Sequence, residues 1–172
     1  MMKKAKRSYP NGEPIYYLIL KILMLLPFAY SGFFYGGVTI VGILGKYIEP
    51  VPPKWVLITM SAGIVAALVG IIFSFFKKYI VSFVLSTGGV ISFLKGGSYL
   101  INRIQNKLET TAVDETLQHM DKDYMLRFYP FASIALLSFV LLVCTIIRKL
   151  IDRKKKQLAK DTAPVESIVS DD

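Results

Sequence analysis

Apolar residues fall into four long runs, Ile15–Leu44, Trp55–Phe76, Tyr79–Ile101 and Phe128–Ile147, separated by segments that hold most of the charge. Each run approaches or exceeds the roughly 20 residues a helix needs to cross a bilayer's hydrocarbon core. The pattern therefore predicts four transmembrane helices. The first run is longer than required: at 1.5 Å per residue it would reach about 45 Å against a core of about 30 Å. Lys21 interrupts it, which places the span at 22–44. Lys21 then sits at the inner boundary, its ammonium snorkelling outward beside Tyr16 and Tyr17. Pro27 is expected to kink this helix near its inner third.

Pro50, Pro52 and Pro53 form a firm break before the second run, and Trp55 stands where an interfacial aromatic anchor belongs. Lys77 and Lys78 close that run. The third follows at once, so these two helices should make a tight hairpin. The expected spans are 22–44, 55–76, 79–101 and 128–147, within a membrane domain over 15–147. Residues 1–14 form a basic lead. Residues 148–172 form a tail, polybasic at first and disordered after about Gln157.

The connection over 102–127 is too long and too patterned for a bare turn. Thr111-Ala112-Val113-Asp114 fits a capping box, and Val113, Leu117, Met120 and Tyr124 recur at helical spacing. A short amphipathic helix on the outer interface is expected here.

Lysines and arginines alternate in density from one connection to the next. Four lie in the lead, two in the turn after Phe76, and six between Arg148 and Lys156. The other two connections balance their cations with acids: Lys46 and Lys54 against Glu49, then Arg103, Lys107, Lys122 and Arg127 against Glu109, Asp114, Glu115, Asp121 and Asp123. The positive-inside rule puts both ends and the Lys77–Lys78 turn in the cytoplasm. The expected fold is all-α, an integral membrane four-helix bundle with N and C termini inside and a short amphipathic helix in the second outer connection.

A rival reading makes the first run a signal peptide, with Ala29-Tyr30-Ser31 before Gly32 as a small-x-small cleavage site. The apolar run continues to Leu44 without a polar mature start, so retention is expected.

Lipid tails are as apolar as leucine, so helices associate in membranes by close approach, which small residues permit. Stripes at four-residue spacing are Gly32 and Gly36 in the first helix, Ala62, Ala66 and Gly70 in the second, and Gly88, Ser92 and Gly96 in the third. Gly89 and Gly97 give the third helix a second small face, which suggests that it is central. The fourth is poorer, with Ala132, Ser133, Ala135 and Ser138. Gly36-Gly37-Val38 and Gly88-Gly89-Val90 echo each other, but glycine-rich membrane helices match easily by chance.

The chain of 172 residues is 53% hydrophobic with a formal net charge of +9. In a soluble protein that charge would raise nucleic acid as a partner. Here the cations adjoin the spans, so anionic lipid head groups are the expected partner, contacted by Arg148, Lys149, Arg153, Lys154, Lys155 and Lys156, and nucleic acid is not. The same segment reads first as a plain stop-transfer anchor, with recruitment of acidic lipid or an acidic cytoplasmic partner as the alternative. The single cysteine, Cys144, excludes an intramolecular disulfide and a cysteine-based zinc site; it reads as a small buried hydrophobe, with palmitoylation as the alternative.

Lys95 lies about 24 Å into the third span by helical rise. An intramembrane cation with no acid in any span is either a solute or lipid-phosphate contact, or a side chain long enough to snorkel to the outer boundary. Glu115, His119 and Asp123 share a helical face and could ligate a metal; a solvated polar face explains the same spacing, and no metal is expected. No phosphate loop, HExxH, GxSxG or CxxC occurs. The expectation is a non-enzymatic protein without cofactor, an accessory or assembly subunit with a membrane-protein partner or a second copy of itself. The alternatives are a small solute transporter or channel-forming subunit, in which Lys95 lines a path, and a membrane-embedded enzyme acting on lipid. The cytoplasmic (plasma) membrane is the default location, since no sorting signal appears.

Overall fold

The computed structural model describes residues 13–45, 52–110 and 126–161. These residues are helical and contain no strand. Four helices are long and apolar enough to cross a membrane: Ile15–Leu44, Lys54–Phe75, Tyr79–Arg103 and Leu126–Leu158. The chain is accordingly a multi-pass membrane protein by length and composition.

The first span is composite. Helix α1 (Ile15–Pro27) passes directly into a π-helical stretch, Phe28–Gly36, and then α2 (Gly37–Leu44). Proline lacks the N–H that would complete an α-helical turn, and its ring crowds the turn before it. Here the backbone answers Pro27 by widening into π turns, which recur in membrane and soluble helices at functional positions. The helix begins at Ile15, seven residues before the expected span over 22–44, and includes Lys21 within its length. Lys21 is 4% exposed and paired within the protein.

Helix α3 (Lys54–Phe75) starts directly after Pro53, whose fixed φ suits the position before a helix. It ends in a tight reversal at Lys77, which has φ 61°. Lys77 N–H donates to the Ser74 carbonyl and Lys78 N–H to the Phe73 carbonyl. This is the Schellman arrangement, with lysine in the left-handed position that usually holds glycine. Helix α4 (Tyr79–Thr110) follows immediately. The expected α3–α4 hairpin is therefore present, and α4 extends past the membrane-spanning length into the second connection.

The α3–α4 seam has a clear period. Along the seam the buried residues include Val56, Met60, Gly63, Ala67, Gly70 and Ser74 on α3, and Tyr79, Ser82, Ser86, Gly89, Phe93, Gly96 and Leu100 on α4; Ile71, Val90, Gly97 and Ile101 are buried beside them. Both sets advance by alternating steps of three and four residues. That is a 3.5-residue repeat, which holds one face of each helix against the other when the pair winds left-handed. The backbones touch at the centre. A Cβ added to Gly63 would lie 2.6 Å from Phe93 N and 2.7 Å from Gly89 O, and one on Gly89 would lie 2.6 Å from Ala67 N.

This seam differs from the expected stripes by one position on each helix. Ala62 and Gly88 are exposed and Ala66 and Ser92 are half-buried, whereas Gly70 and Gly96 do lie in the interface. The reason is geometric: strict four-residue steps drift about 40° per step round an α-helix of 3.6 residues per turn. A stripe of that kind leaves the contact face within two steps.

Helix α5 (Ala132–Asp161) is preceded by a 3₁₀ turn, Tyr129–Phe131. It buries Ile134, Ser138 and Leu141, again at three- and four-residue steps, and then continues through the polybasic segment without a break. Lysine and arginine are good helix formers. Their charge moves the chain out of the hydrocarbon without ending the helix, so the helix reaches four residues beyond Gln157, where disorder was expected. The remainder of that tail, and the expected amphipathic helix with Thr111, Glu115, His119 and Asp123, lie outside the described residues.

Candidate functional site

Two regions carry structure beyond plain packing: an aromatic layer at mid-height and a charged cleft at one end.

The rings of the aromatic layer come from the first, third and fourth spans. Phe93 of α4 and Phe131 before α5 are fully buried, with ring centroids 4.4 Å apart. The Phe128 ring lies tilted 5.3 Å from that of Phe93, and Phe28 reaches Phe131 at 6.3 Å. Gly32 and Gly36 provide the hollows. A Cβ on Gly32 would fall 2.5 Å from the Phe131 ring, and one on Gly36 would fall 2.8 Å from the Phe93 ring and 2.9 Å from Ile64. These glycines therefore accommodate rings and do not bring two backbones together. The middle of the protein is packed with apolar rings, whose gain over lipid contact comes from close packing and ring–ring geometry and not from leaving water.

The charged cleft, about 580 Å³ in volume, lies where the start of α1, the α3–α4 turn and the middle of α5 meet. Its cations are Lys77, Lys78, Arg148 and Lys149; its acids are Glu13 and Asp152. Glu13 is already committed. Its Oε2 accepts a hydrogen bond from Lys21 Nζ at 2.8 Å, and its Oε1 accepts one from the Tyr79 hydroxyl. The Lys21 ammonium also sits 5.4 Å from the Tyr79 ring centroid and 5.8 Å from that of Phe75, within cation–π range. Tyr17, 5.6 Å from Tyr79 ring to ring, completes the packing.

Burial of Glu13 opposes its charge. The hydrogen bonds from Lys21 and Tyr79 and the positive charges of Lys21 and Lys77 outweigh that, and hold its carboxyl below its ordinary 4.5. The position of Glu13 just ahead of a helix N-terminus favours the anion further. This arrangement replaces the expected snorkelling of Lys21 beside Tyr16: the ammonium is satisfied inside the protein, eight residues along from its carboxylate.

Of the residues assigned to lipid from the sequence, Arg148 and Lys149 line the cleft. Arg153, Lys154, Lys155 and Lys156 lie further along α5 and are exposed. Lys95 is exposed on the outer surface of α4 and faces away from the aromatic layer. It lies one turn, about 6 Å, short of Tyr99. Tyr99 meets the Trp55 ring edge-on at 4.8 Å and accepts a hydrogen bond from Arg103 Nη1 at 3.2 Å. Among the described residues, no three His, Cys, Asp or Glu side chains are grouped to hold a metal.

Sequence reasoning missed Glu13, Tyr79 and the role of Lys77 and Lys78. Glu13 precedes α1, with Pro14 extended between them, so helical spacing offered no signal for its pairing with Lys21.

Comparison with known protein families, with curated proteins and with solved structures finds no match.

Proposed function

We propose that the chain is a non-enzymatic four-helix bundle of the cytoplasmic membrane, with both ends inside, that serves as an accessory or assembly subunit of a membrane complex. The aromatic layer carries this reading. Phe28, Phe93, Phe128 and Phe131 fill the space between the spans, with Gly32 and Gly36 fitted to the rings, and a continuous polar path has no room to cross that level. Two further features support it. Lys95 stands outside, one turn below the Trp55–Tyr99 pair, which suits a side chain reaching for the outer interface and not one lining a conduit. Among the described residues the buried lysine, Lys21, is neutralised at one end of the helices, as expected of a structural pair.

Reconstitution tests this. Vesicles containing the purified chain and loaded with a pH-sensitive or potassium-sensitive dye should respond to imposed gradients no faster than empty vesicles. Flux well above that background, abolished by Phe93→Trp but not by Lys154→Gln, would favour the transporter reading instead.

A further inference from the structure

We infer that the charged cleft is a specific site for one anionic phospholipid, its phosphate held at the mouth by Lys78 and Lys149 together with Lys77 and Arg148, and its acyl chain lying along the outer faces of α4 and α5. The inference rests on the membrane-spanning reading above and goes beyond it by naming a ligand class and a place.

The electrostatics come first. Four cations and two acids line the cleft. Glu13 is neutralised by Lys21, which lies outside that lining. Among the described lining residues Asp152 is the remaining acid, set against four cations, of which Lys77 also acts on Glu13. Basic pockets between membrane helices, at the level where the helices leave the hydrocarbon, are the usual form of a phosphate head-group site.

The walls identify the source of that phosphate. Immediately below Lys78 on α4 come Ile80 and Val81, and below Arg148 on α5 come Ile146 and Leu142. Ile80, Val81 and Ile146 are exposed. Both walls therefore change from cation to aliphatic within two turns, about 10 Å of rise. A soluble phosphate would use the mouth and leave the aliphatic walls unoccupied. A phosphodiester carrying an acyl chain matches both parts at once. Lys78 is the distinctive member, since it arrives from a different helix than the polybasic tail and is fixed by the turn at Lys77.

The test uses the full chain purified in a neutral maltoside detergent. Adducts are counted by native mass spectrometry and affinities taken from lipid titration. Phosphatidylglycerol should bind one-to-one and at least about tenfold more tightly than phosphatidylcholine. Lys78→Gln with Lys149→Gln should weaken phosphatidylglycerol binding by about tenfold or more and leave phosphatidylcholine unchanged. Lys154→Gln with Lys155→Gln removes the same charge from the exposed continuation of α5 and should change affinity less than about threefold. Equal loss in the two double variants, or equal affinity for the two lipids, would overturn the inference in favour of diffuse attraction. Displacement of the lipid by millimolar glycerol phosphate would overturn it in favour of a free-anion site. Vesicle insertion measured on the same preparations separates the outcomes: lost lipid preference with normal insertion removes this inference alone.

Discussion

Gly63→Leu should disrupt the α3–α4 hairpin, lowering stability by about 3 kcal/mol or more in an SDS titration of the maltoside-solubilised protein. The magnitude follows from what a side chain would meet. At Gly63 the nearest atoms are Phe93 N, Gly89 O and Phe93 Cα, all backbone and all within 2.9 Å of the new Cβ. Backbone in a packed helix cannot rotate aside, so relief requires the helices to separate. Separation forfeits the close approach on which membrane helices depend. Gly89→Leu should behave alike, with Ala67 N and Gly63 O in the way. Gly37 and Gly88 are the contrast, since nothing lies within 4 Å of either added Cβ. Gly37→Ala and Gly88→Ala should be neutral or gain up to about 1 kcal/mol from helix propensity. Equal destabilisation at Gly88 and Gly89 would contradict the seam.

Removing the carboxylate at Glu13 should be nearly as damaging. Glu13→Gln leaves the Lys21 ammonium buried without its counter-charge, and breaking a buried pair from one side costs about 3–5 kcal/mol. Glu13 retains some water contact, its side chain being 19% exposed, so the low end of that range, about 3 kcal/mol, is expected. Lys21→Met with Glu13→Gln should recover most of the loss, because the stem of Lys21 packs well and the charge is what needs a partner. The pH dependence has a fixed sign. A carboxyl held below its ordinary 4.5 in the fold contributes its full stabilisation above that pH and loses it as pH falls through the folded value. The unmutated protein should therefore lose stability below about pH 4.5, and Glu13→Gln should lose less over the same interval. A Glu13→Gln variant as stable as the parent at pH 7 would remove the pair from the account.

The parts of this structure that sequence made legible are those set by one-dimensional signals. Run length revealed four spans. Pro50, Pro52 and Pro53 marked one boundary, and Lys77 and Lys78 the turn of the hairpin. Trp55 was placed at an interface by its amphipathic ring, and the structure pairs it with Tyr99. The seam was partly legible: Gly70 and Gly96 were identified, but a fixed four-residue step selected Ala62 and Gly88, which face outward. A search for alternating three- and four-residue steps would have found Gly63, Ala67 and Gly70 opposite Ser86, Gly89 and Gly96. Gly32 and Gly36 receive rings from Phe131 and Phe93, far away in the chain, which a stripe within one helix does not encode. Lys21 was misread for a similar reason. A lone lysine among leucines signals a boundary only if its counter-ion is water or lipid, and here it is Glu13. The clustering of Lys77, Lys78, Arg148 and Lys149 depends on which helices are neighbours, which periodicity within one helix does not encode.

Everything proposed here depends on Glu13, the α3–α4 turn and the basic stretch of α5, which meet at one cleft, lying on one face of a membrane. Single cysteines at Ser8, Lys78 and Lys155, and one at Gln118, each introduced with Cys144→Ala, allow this to be read with an impermeant thiol reagent in sealed right-side-out vesicles. The account predicts that the first three stay unlabelled until the vesicles are opened, while the cysteine at 118 reacts at once. Labelling of positions 8 and 155 from opposite sides would contradict it.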